Sequence, residues 1–193
     1  MDDTLFDHFK VLCEKRRSVR SFSDEKIPRE DIEKVLMIAK TSPYSGNRKD
    51  WDIIVIDDPE KIKELANVVK DKLVEVIQDI KKEFQPMYTE YSDYYVSFET
   101  APVLLIPVYR YGQGLEYILD RPNKEIMKLD QETFVKSISC VSMIALLAME
   151  SLGYGGCFVD GATIAGEEIS KALGLKKRMK IGAILPMGRK KES

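Results

Sequence analysis

One long apolar segment, residues 132–152, limits most strongly what this chain can fold into. The spacing of its residues predicts a helix whose apolar side chains cover much of its circumference. Such a helix needs neighbours on several sides, so it is expected in a core or at a subunit interface. Residues 102–109 (PVLLIPVY) predict a buried strand for the same reason. The fold must therefore enclose both segments between layers.

Shorter helices and strands alternate along the rest of the chain. Apolar spacing and capping residues predict helices at about residues 4–15, directly after Pro28, from Asp58 and Pro59 to about residue 84, and at residues 166–173. Strands are predicted at residues 51–57, 156–159 and 179–187. Residues 85–100 show only a short helix near their end, and residues 110–128 are expected to form a loop or a lid.

The arrangement of these elements predicts one α+β domain over residues 1–193. No linker rich in Pro, Gly or Ser divides the chain, and no internal repeat is visible. Because helices are in the majority and alternate with strands, we expect a three-layer α/β/α sandwich.

Composition excludes several classes of function. A formal charge of −2 and a pI near 5.7 give no general attraction to nucleic acid or to an anionic membrane. Three cysteines without paired spacing and a single histidine, His8, disfavour a disulfide framework, a metal site and Ser-His-Asp catalysis. The N-terminus is acidic, unlike a secretory signal, and the apolar runs are too short to span a bilayer. We therefore expect a cytoplasmic protein with no membrane or nucleic-acid partner.

A compact basic cluster follows the first helix and consists of Arg16, Arg17, Ser18, Val19 and Arg20. The planar guanidinium fork matches the oxygens of a phosphate, and the serine hydroxyl adds another donor. The cluster is therefore a candidate anchor for a phosphorylated ligand. Taken alone, a solvated patch paired with neighbouring carboxylates explains it equally well. The basic tail near residue 190 would complete a dianion site only if the last strand brings it there.

Two turn-rich segments, residues 42–47 and 153–161, offer exposed backbone N–H groups. The first also carries hydroxyls and an amide, which suit a flat heteroaromatic ligand, although composition favours a plain helix-to-strand connection. The second lacks the spacing of a dinucleotide fingerprint or a P-loop. Its glycines fit either close approach to a planar ligand or tight turns. Trp51 and Cys157 are expected in the core.

The order of these segments resembles the FMN-dependent nitroreductase family. The resemblance covers nearly the whole chain, and the cluster at residues 16–20 is its most specific element. It also includes the loop before Trp51, residues 152–161 after the long helix, Gly174 with Leu175, and the last strand ending at Gly188. Proteins of this family are intertwined homodimers with a central, mostly antiparallel sheet and two FMN molecules at the subunit interface. The resemblance implies the same fold and assembly here.

The resemblance also implies which residues bind FMN. The phosphate, the ribityl chain and the N1/O2 side of the ring would meet Arg16, Arg17, Ser18 and Arg20. The partner subunit would contact FMN through four residues of its own loop, Pro43, Tyr44, Ser45 and Asn47. The ring edge near N5 would meet a backbone N–H of Gly161, beside Asp160, and the phosphate would be closed over by Arg189 or Lys191. The chemistry would then be carried by N5 of FMN, with no catalytic side chain and no metal.

The implied activity is a ping-pong transfer of a hydride from NADH or NADPH, through FMN, to a small-molecule acceptor such as a nitroaromatic, a quinone or an enone. Two departures from the family pattern are visible: Lys49 with Asp50 where many members have Gln-Pro, and Met143 with Ile144 where a Gln-Asn pair is common. A long C-terminal arm embracing the partner is not expected. Two alternatives stay open. One is another flavin reaction on the same fold, such as dehydrogenation, reductive dehalogenation or flavin fragmentation. The other is a flavin-binding protein without turnover.

Overall fold

The computed structural model of the chain describes residues 3–47, 50–111 and 118–191. Within these residues the helices are α1 (Asp3–Lys15), α2 (Arg29–Ala39), α3 (Pro59–Asp79), α4 (Gln85–Ser92), α5 (Lys124–Ser151) and α6 (Gly166–Ala172). The strands are β1 (Trp51–Ile56), β2 (Val103–Arg110), β3 (Gly155–Gly156), β4 (Met179–Ile181) and β5 (Leu185–Gly188).

The five strands form one antiparallel sheet in the order β1-β2-β5-β3, and β4 pairs with the far end of β2. Trp51 lies opposite Tyr109, and Val103 lies opposite Met187. An isolated parallel bridge joins Ser18 to Gly156 and extends the sheet beyond β3. The predicted, mostly antiparallel sheet is confirmed.

Helices cover both faces of this sheet, because β2 is apolar on both sides. Leu104 and Ile106 point into the cluster built from α3 and α6, whereas Val103 and Leu105 point into the cluster built from α2 and α5. Every residue of β2 except Arg110 is buried. The α+β class and the three-layer arrangement expected from the sequence are therefore confirmed.

Helix α5 is the long apolar helix, and it begins earlier than its sequence pattern predicts. The Asn123 side chain accepts hydrogen bonds from the backbone N–H groups of Glu125 and Ile126, each at 3.1 Å, and this cap sets the start. Contrary to the expectation that the apolar runs are too short, α5 is long and apolar enough to cross a membrane by length and composition alone. Half of its most apolar stretch is buried against the sheet and α2, so α5 is apolar because it is a core helix.

Helix α3 ends before the predicted position. Asp58 caps its first turn as expected, accepting from the N–H of Glu60 at 3.0 Å. At the other end, the Gln85 amide donates to the carbonyls of Ile77 and Ile80 and satisfies them outside the helix. A separate helix, α4, then starts at Gln85, so the short helix expected near residue 100 lies earlier, and a 3₁₀ turn (Asp93–Val96) follows it.

The last strand is split in two, contrary to the single strand predicted at residues 179–187. Pro107 of β2 accepts from the N–H of Gly182 at 2.7 Å but has no N–H to donate in return, so the ladder is interrupted between β4 and β5. The other predicted strand, at residues 156–159, is reduced to β3 and one bridge from Val159 to Ile184.

We expect Leu105→Ala to destabilise the protein by about 2–5 kcal/mol, because Leu105 is fully buried in the central strand and its removal leaves a cavity. Val74→Ala on α3 is the control, since Val74 is 61% exposed, and a change within about 0.5 kcal/mol is expected there. Urea unfolding of both variants measures the difference. Equal stabilities for the two variants would contradict the placement of β2 at the centre of the core.

Candidate functional site

The segment after α1 is extended and is hydrogen-bonded on both sides. On one side the N–H of Val19 donates to the carbonyl of Gly156 at 2.9 Å. On the other, the N–H of Lys191 donates to Ser21 and the N–H of Ser23 donates to Arg189, at 3.1 and 3.0 Å. These bonds place the N-terminal basic cluster beside the C-terminal basic tail. The last strand thus delivers the tail to the cluster.

A cleft of about 530 Å³ opens at this junction. Of the residues predicted to bind FMN, it is lined by Arg17, Ser18, Arg20 and Lys191, whereas Arg16 does not line it. Lys190 belongs to the basic tail named above, Lys15 adds a cation that the sequence did not indicate, and Glu150 contributes the one carboxylate among the described residues. Five cationic side chains from both ends of the chain therefore surround one cleft, which favours an anionic ligand.

Arg17 is oriented by the end of α1. Its Nη1 donates to the carbonyls of Glu14 and Arg16, at 2.7 and 2.9 Å, and so satisfies part of the C-terminal end of that helix. These bonds use some of the five donors of the guanidinium group. Arg17 is thus a structural cap as well as a residue of the cleft.

The glycines between α5 and β3 allow the chain to pack closely. A Cβ on Gly155 would lie 2.6 Å from Cγ2 of Val19, so only glycine lets the extended segment approach β3. Gly153 has a φ of 79°, in the left-handed region, and reverses the chain after α5. Of the two sequence interpretations of this stretch, tight turns and close packing explain these two positions. Cys157 is buried, as expected.

Arg189 lies at the edge of the cleft in a network of three other side chains. Its Nε donates to Oε1 of Glu25 at 2.8 Å, and its guanidinium carbon lies 5.1 Å from the ring centroid of Tyr154. The Tyr154 hydroxyl in turn donates to Oδ2 of Asp31 at 2.7 Å. This bond, together with one from Lys34, holds the pKa of Asp31 below its ordinary value. Burial and the same bond to Asp31 raise the pKa of Tyr154.

Gly161 and Asp160 stand at the start of a 3₁₀ turn (Gly161–Ala165), and neither lines the cleft. A Cβ on Gly161 would collide with the ring of Tyr95, so this position also requires glycine. Burial, followed by a hydrogen bond with Tyr88, raises the pKa of Tyr95 to about 12. Gly161 is therefore covered by an aromatic side chain that the sequence reasoning did not select.

A row of tyrosines connects Arg20 with Gly161. The Arg20 guanidinium carbon lies 5.0 Å from the ring centroid of Tyr94. Tyr91 packs edge-on against Tyr94 and Tyr95, with centroid distances of 6.0 and 5.7 Å. The only sequence signal for this row is the density of tyrosines at residues 88–95, which carries no chemical motif.

The loop predicted to reach FMN from a partner subunit lies far from the cleft of its own chain. Tyr44 stacks on Trp51 with ring centroids 5.7 Å apart, and the N–H of Ser45 donates to Oγ of Ser137 at 3.2 Å. Pro43 and Asn47 belong to the same loop. Ser137 and the cleft residue Glu150 are both on α5, about 20 Å apart along the axis at about 1.5 Å per residue. One chain does not bring the two predicted halves of the site together.

Other features near this loop lie outside the cleft. Trp51 packs against the core cluster of α2 and α5, as expected. Asp50 accepts from the N–H of Arg110 at 2.9 Å through its backbone carbonyl, and Lys49 lies outside the described residues. A larger cavity of about 1,020 Å³, between α5, α6 and β4, contains none of the predicted FMN residues.

Comparison with known proteins identifies the family. The sequence matches the Nitroreductase family over residues 13–189. The chain belongs to the nitroreductase family. The family resemblance expected from the order of the motifs is therefore confirmed.

Two curated relatives of this chain carry the names of different enzymes. Iodotyrosine deiodinase 1 of Mus musculus is 36% identical over 107 residues, which are 51% of this chain and 35% of that protein. A putative NADH dehydrogenase/NAD(P)H nitroreductase of Archaeoglobus fulgidus is 45% identical over 51 residues, 26% of this chain and 29% of that protein. The matched segments span about a third of the length of these relatives.

Solved structures show the same nitroreductase fold over almost the whole chain. A BluB-like flavoprotein from Clostridium difficile 630 superposes with a TM-score of 0.83 at 25% identity, covering 96% of this chain and 91% of that one. A putative NADH oxidase from Clostridium acetobutylicum superposes with a TM-score of 0.67 at 22% identity, covering 94% and 89%. The second comparison supports the fold alone.

The bond between Tyr154 and Asp31 predicts a pH dependence of stability. Because the pKa of Asp31 is lowered in the folded protein, its carboxylate contributes stability above the ordinary value of 3.8, and this contribution is lost as the pH falls through the lower, folded pKa. Tyr154→Phe removes the main cause of the shift. We expect it to be less stable than wild type at about pH 6, with a difference that shrinks towards about pH 3. Urea unfolding over this range measures it, and a difference that does not change with pH would refute the assignment.

Proposed function

We propose that the protein is an FMN-dependent oxidoreductase that takes a hydride from NADH or NADPH and passes the electrons to a small oxidised acceptor. One observation carries the proposal: cationic and hydroxyl side chains from residues 15–20 and from the C-terminal tail line the same cleft. Family membership supports a flavin-dependent oxidoreductase, and a structural neighbour with a TM-score of 0.83 is named a flavoprotein.

The residues of the cleft fit the phosphate end of FMN. The oxygens of a phosphate dianion match the donors of Arg17 that the end of α1 does not use and the ammonium groups of Lys190 and Lys191, with the Ser18 hydroxyl as a further donor. The volume of about 530 Å³ lies within the range of about 300–1,000 Å³ that small-ligand pockets commonly have. These side chains together favour a negatively charged ligand, and Glu150 is the opposing carboxylate of the described lining.

A homodimer would complete the site. In one chain the loop at residues 43–47 lies beside the middle of α5 and the cleft lies at its C-terminal end, so a second copy running in the opposite direction along α5 would bring a loop to each cleft. Apolar side chains are available for such an interface: Phe6 and Phe9 on α1 are 66% and 54% exposed, and Met143 on α5 is 45% exposed. Exposed apolar faces of this kind mark interaction surfaces.

The remaining predicted residues would act on the flavin ring. FMN, when bound, supplies the hydride chemistry, so no side chain has to act as an acid or a base. The positive charge of Arg20 would lie on the N1/O2 side, where it stabilises negative charge on the ring. The backbone N–H of Gly161 would orient the ring edge, and Tyr95, packed on Gly161, would exclude water from that edge.

The direct test is to purify the full chain, release and identify its flavin, and mix the protein anaerobically with NADH or NADPH. We expect FMN, and bleaching of its absorbance by at least one nicotinamide. Stopped-flow mixing of the reduced protein with p-benzoquinone, nitrobenzene and 3-iodotyrosine then identifies the acceptor. Bound FMN that neither nicotinamide reduces would refute the proposed activity.

The iodotyrosine arm tests a second candidate, reductive dehalogenation, which is favoured by the similarity to iodotyrosine deiodinase 1 over half of this chain. Iodide released in proportion to flavin reoxidation would support the second candidate. Fast reoxidation by the quinone or the nitroaromatic, with no iodide released from 3-iodotyrosine, would support the first.

Arg20→Ala is expected to weaken FMN binding about tenfold or more, because it removes a charge-assisted donor from the cleft. Arg29→Ala is the matched control. Arg29 is an exposed arginine on α2, paired with Glu33 at 3.2 Å, and lies outside the cleft. Flavin fluorescence quenching measures both affinities. Unchanged FMN affinity in Arg20→Ala would show that the cluster is ordinary surface charge.

A further inference from the structure

The guanidinium group of Arg189 is hydrogen-bonded at one edge, and within the described residues its other edge faces Gly153. Its Nε is bound by Glu25 at 2.8 Å. Its Nη1 lies 4.0 Å from the position that a Cβ on Gly153 would occupy, and Gly153 lines the cleft. The edge of the guanidinium that Glu25 does not bind is therefore the edge nearest the cleft.

Arg189 lies over a buried, hydrogen-bonded tyrosine ring. The ring of Tyr154 is only 3% exposed and lies 5.1 Å below the guanidinium carbon. Its hydroxyl is anchored to Asp31 on α2, which Lys34 also binds at 3.1 Å. The contact with this ring and the bond to Glu25 hold the guanidinium at two points and so limit its orientations.

The backbone brings Glu25 into this position. The N–H of Ser23, two residues before Glu25, donates to the carbonyl of Arg189 at 3.0 Å. The pair is not needed for the stability of the fold, since the Arg189 and Glu25 side chains are 47% and 57% exposed and exposed pairs of this kind contribute little. Orienting a donor before a ligand arrives, in contrast, lowers the entropy cost of binding.

We propose that Glu25 is a positioning residue for the FMN phosphate. It binds Nε of Arg189 and so directs the Nη nitrogens of that residue towards the phosphate end of the cleft. This role rests on the proposed function, because it requires FMN to place its phosphate between the two basic segments. Glu25 itself does not contact the ligand; it acts through Arg189.

Affinity for FMN and for riboflavin, which has no phosphate, separates this role from a general structural one. Flavin-free full-length protein is titrated with each flavin while fluorescence quenching is followed. We expect Glu25→Ala to weaken FMN binding about three- to fivefold and to leave riboflavin binding unchanged. Glu25→Gln should retain nearly wild-type affinity, because its amide oxygen still accepts from Nε. Glu33→Ala, an exposed carboxylate on α2, is the matched control and should change neither affinity.

The double variant completes the test. If Glu25 acts through Arg189, adding Glu25→Ala to Arg189→Ala should cause no further loss of FMN affinity. Additive losses, an equal change for riboflavin, or unchanged FMN affinity in Glu25→Ala would each overturn the inference. Tighter FMN binding by Glu25→Ala would overturn it too, by showing that Glu25 competes with the phosphate. A wild-type protein that does not prefer FMN over riboflavin would overturn the phosphate site itself, and this inference with it.

Discussion

The candidate site depends on the backbone pairing of one extended segment, the stretch between α1 and Ser23. Val19 is bonded to β3 on one side and Ser21 to the C-terminal tail on the other. Because these are main-chain bonds within a sheet, they hold the basic side chains of both termini together whether or not a ligand is present. Gly155 is part of the same constraint, since any side chain there would push Val19 away from β3. The charge of the cleft is thus a consequence of strand pairing.

Helix α5 sets the distance between the cleft and the loop at residues 43–47. Its C-terminal end supports the cleft through Glu150, and Ser137 in its middle binds the loop at residues 43–47. These positions are about 20 Å apart along α5, so the loop and the cleft of one chain cannot meet. In the proposed homodimer, the loop of one chain and the cleft of the other would meet along this helix. Its inward face packs against the sheet and α2, whereas Met143 on its outer face is exposed. In the proposed homodimer, one helix would therefore contribute to both the core and the subunit interface.

Local patterns predicted the elements whose causes are local, and missed those that depend on distant partners. Short stretches of sequence were enough to predict the cap at Asp58, the apolar pattern of α5 and the basic cluster at residues 16–20. The break between β4 and β5 is not, because it follows from a missing N–H on Pro107, in another strand. The end of α3 follows from Gln85, whose amide meets carbonyls from an earlier turn. The role of Glu25 cannot be read from a short window either, since its contact with Arg189 joins residues 164 positions apart.

The cations that line the cleft and its edge offer a ligand fewer hydrogen-bond donors than their number suggests, because some of these donors are already bonded within the protein. Nη1 of Arg17 is bonded to the carbonyls at the end of α1, and Nε of Arg189 is bonded to Glu25. Fixed arginines present a few donors in one plane, while Lys190 and Lys191 supply mobile point charges. A flat or weakly charged anion would gain mainly from the lysines. A phosphate dianion would gain from both sets, so selectivity for phosphate would arise from the orientation of the arginine donors rather than from total charge.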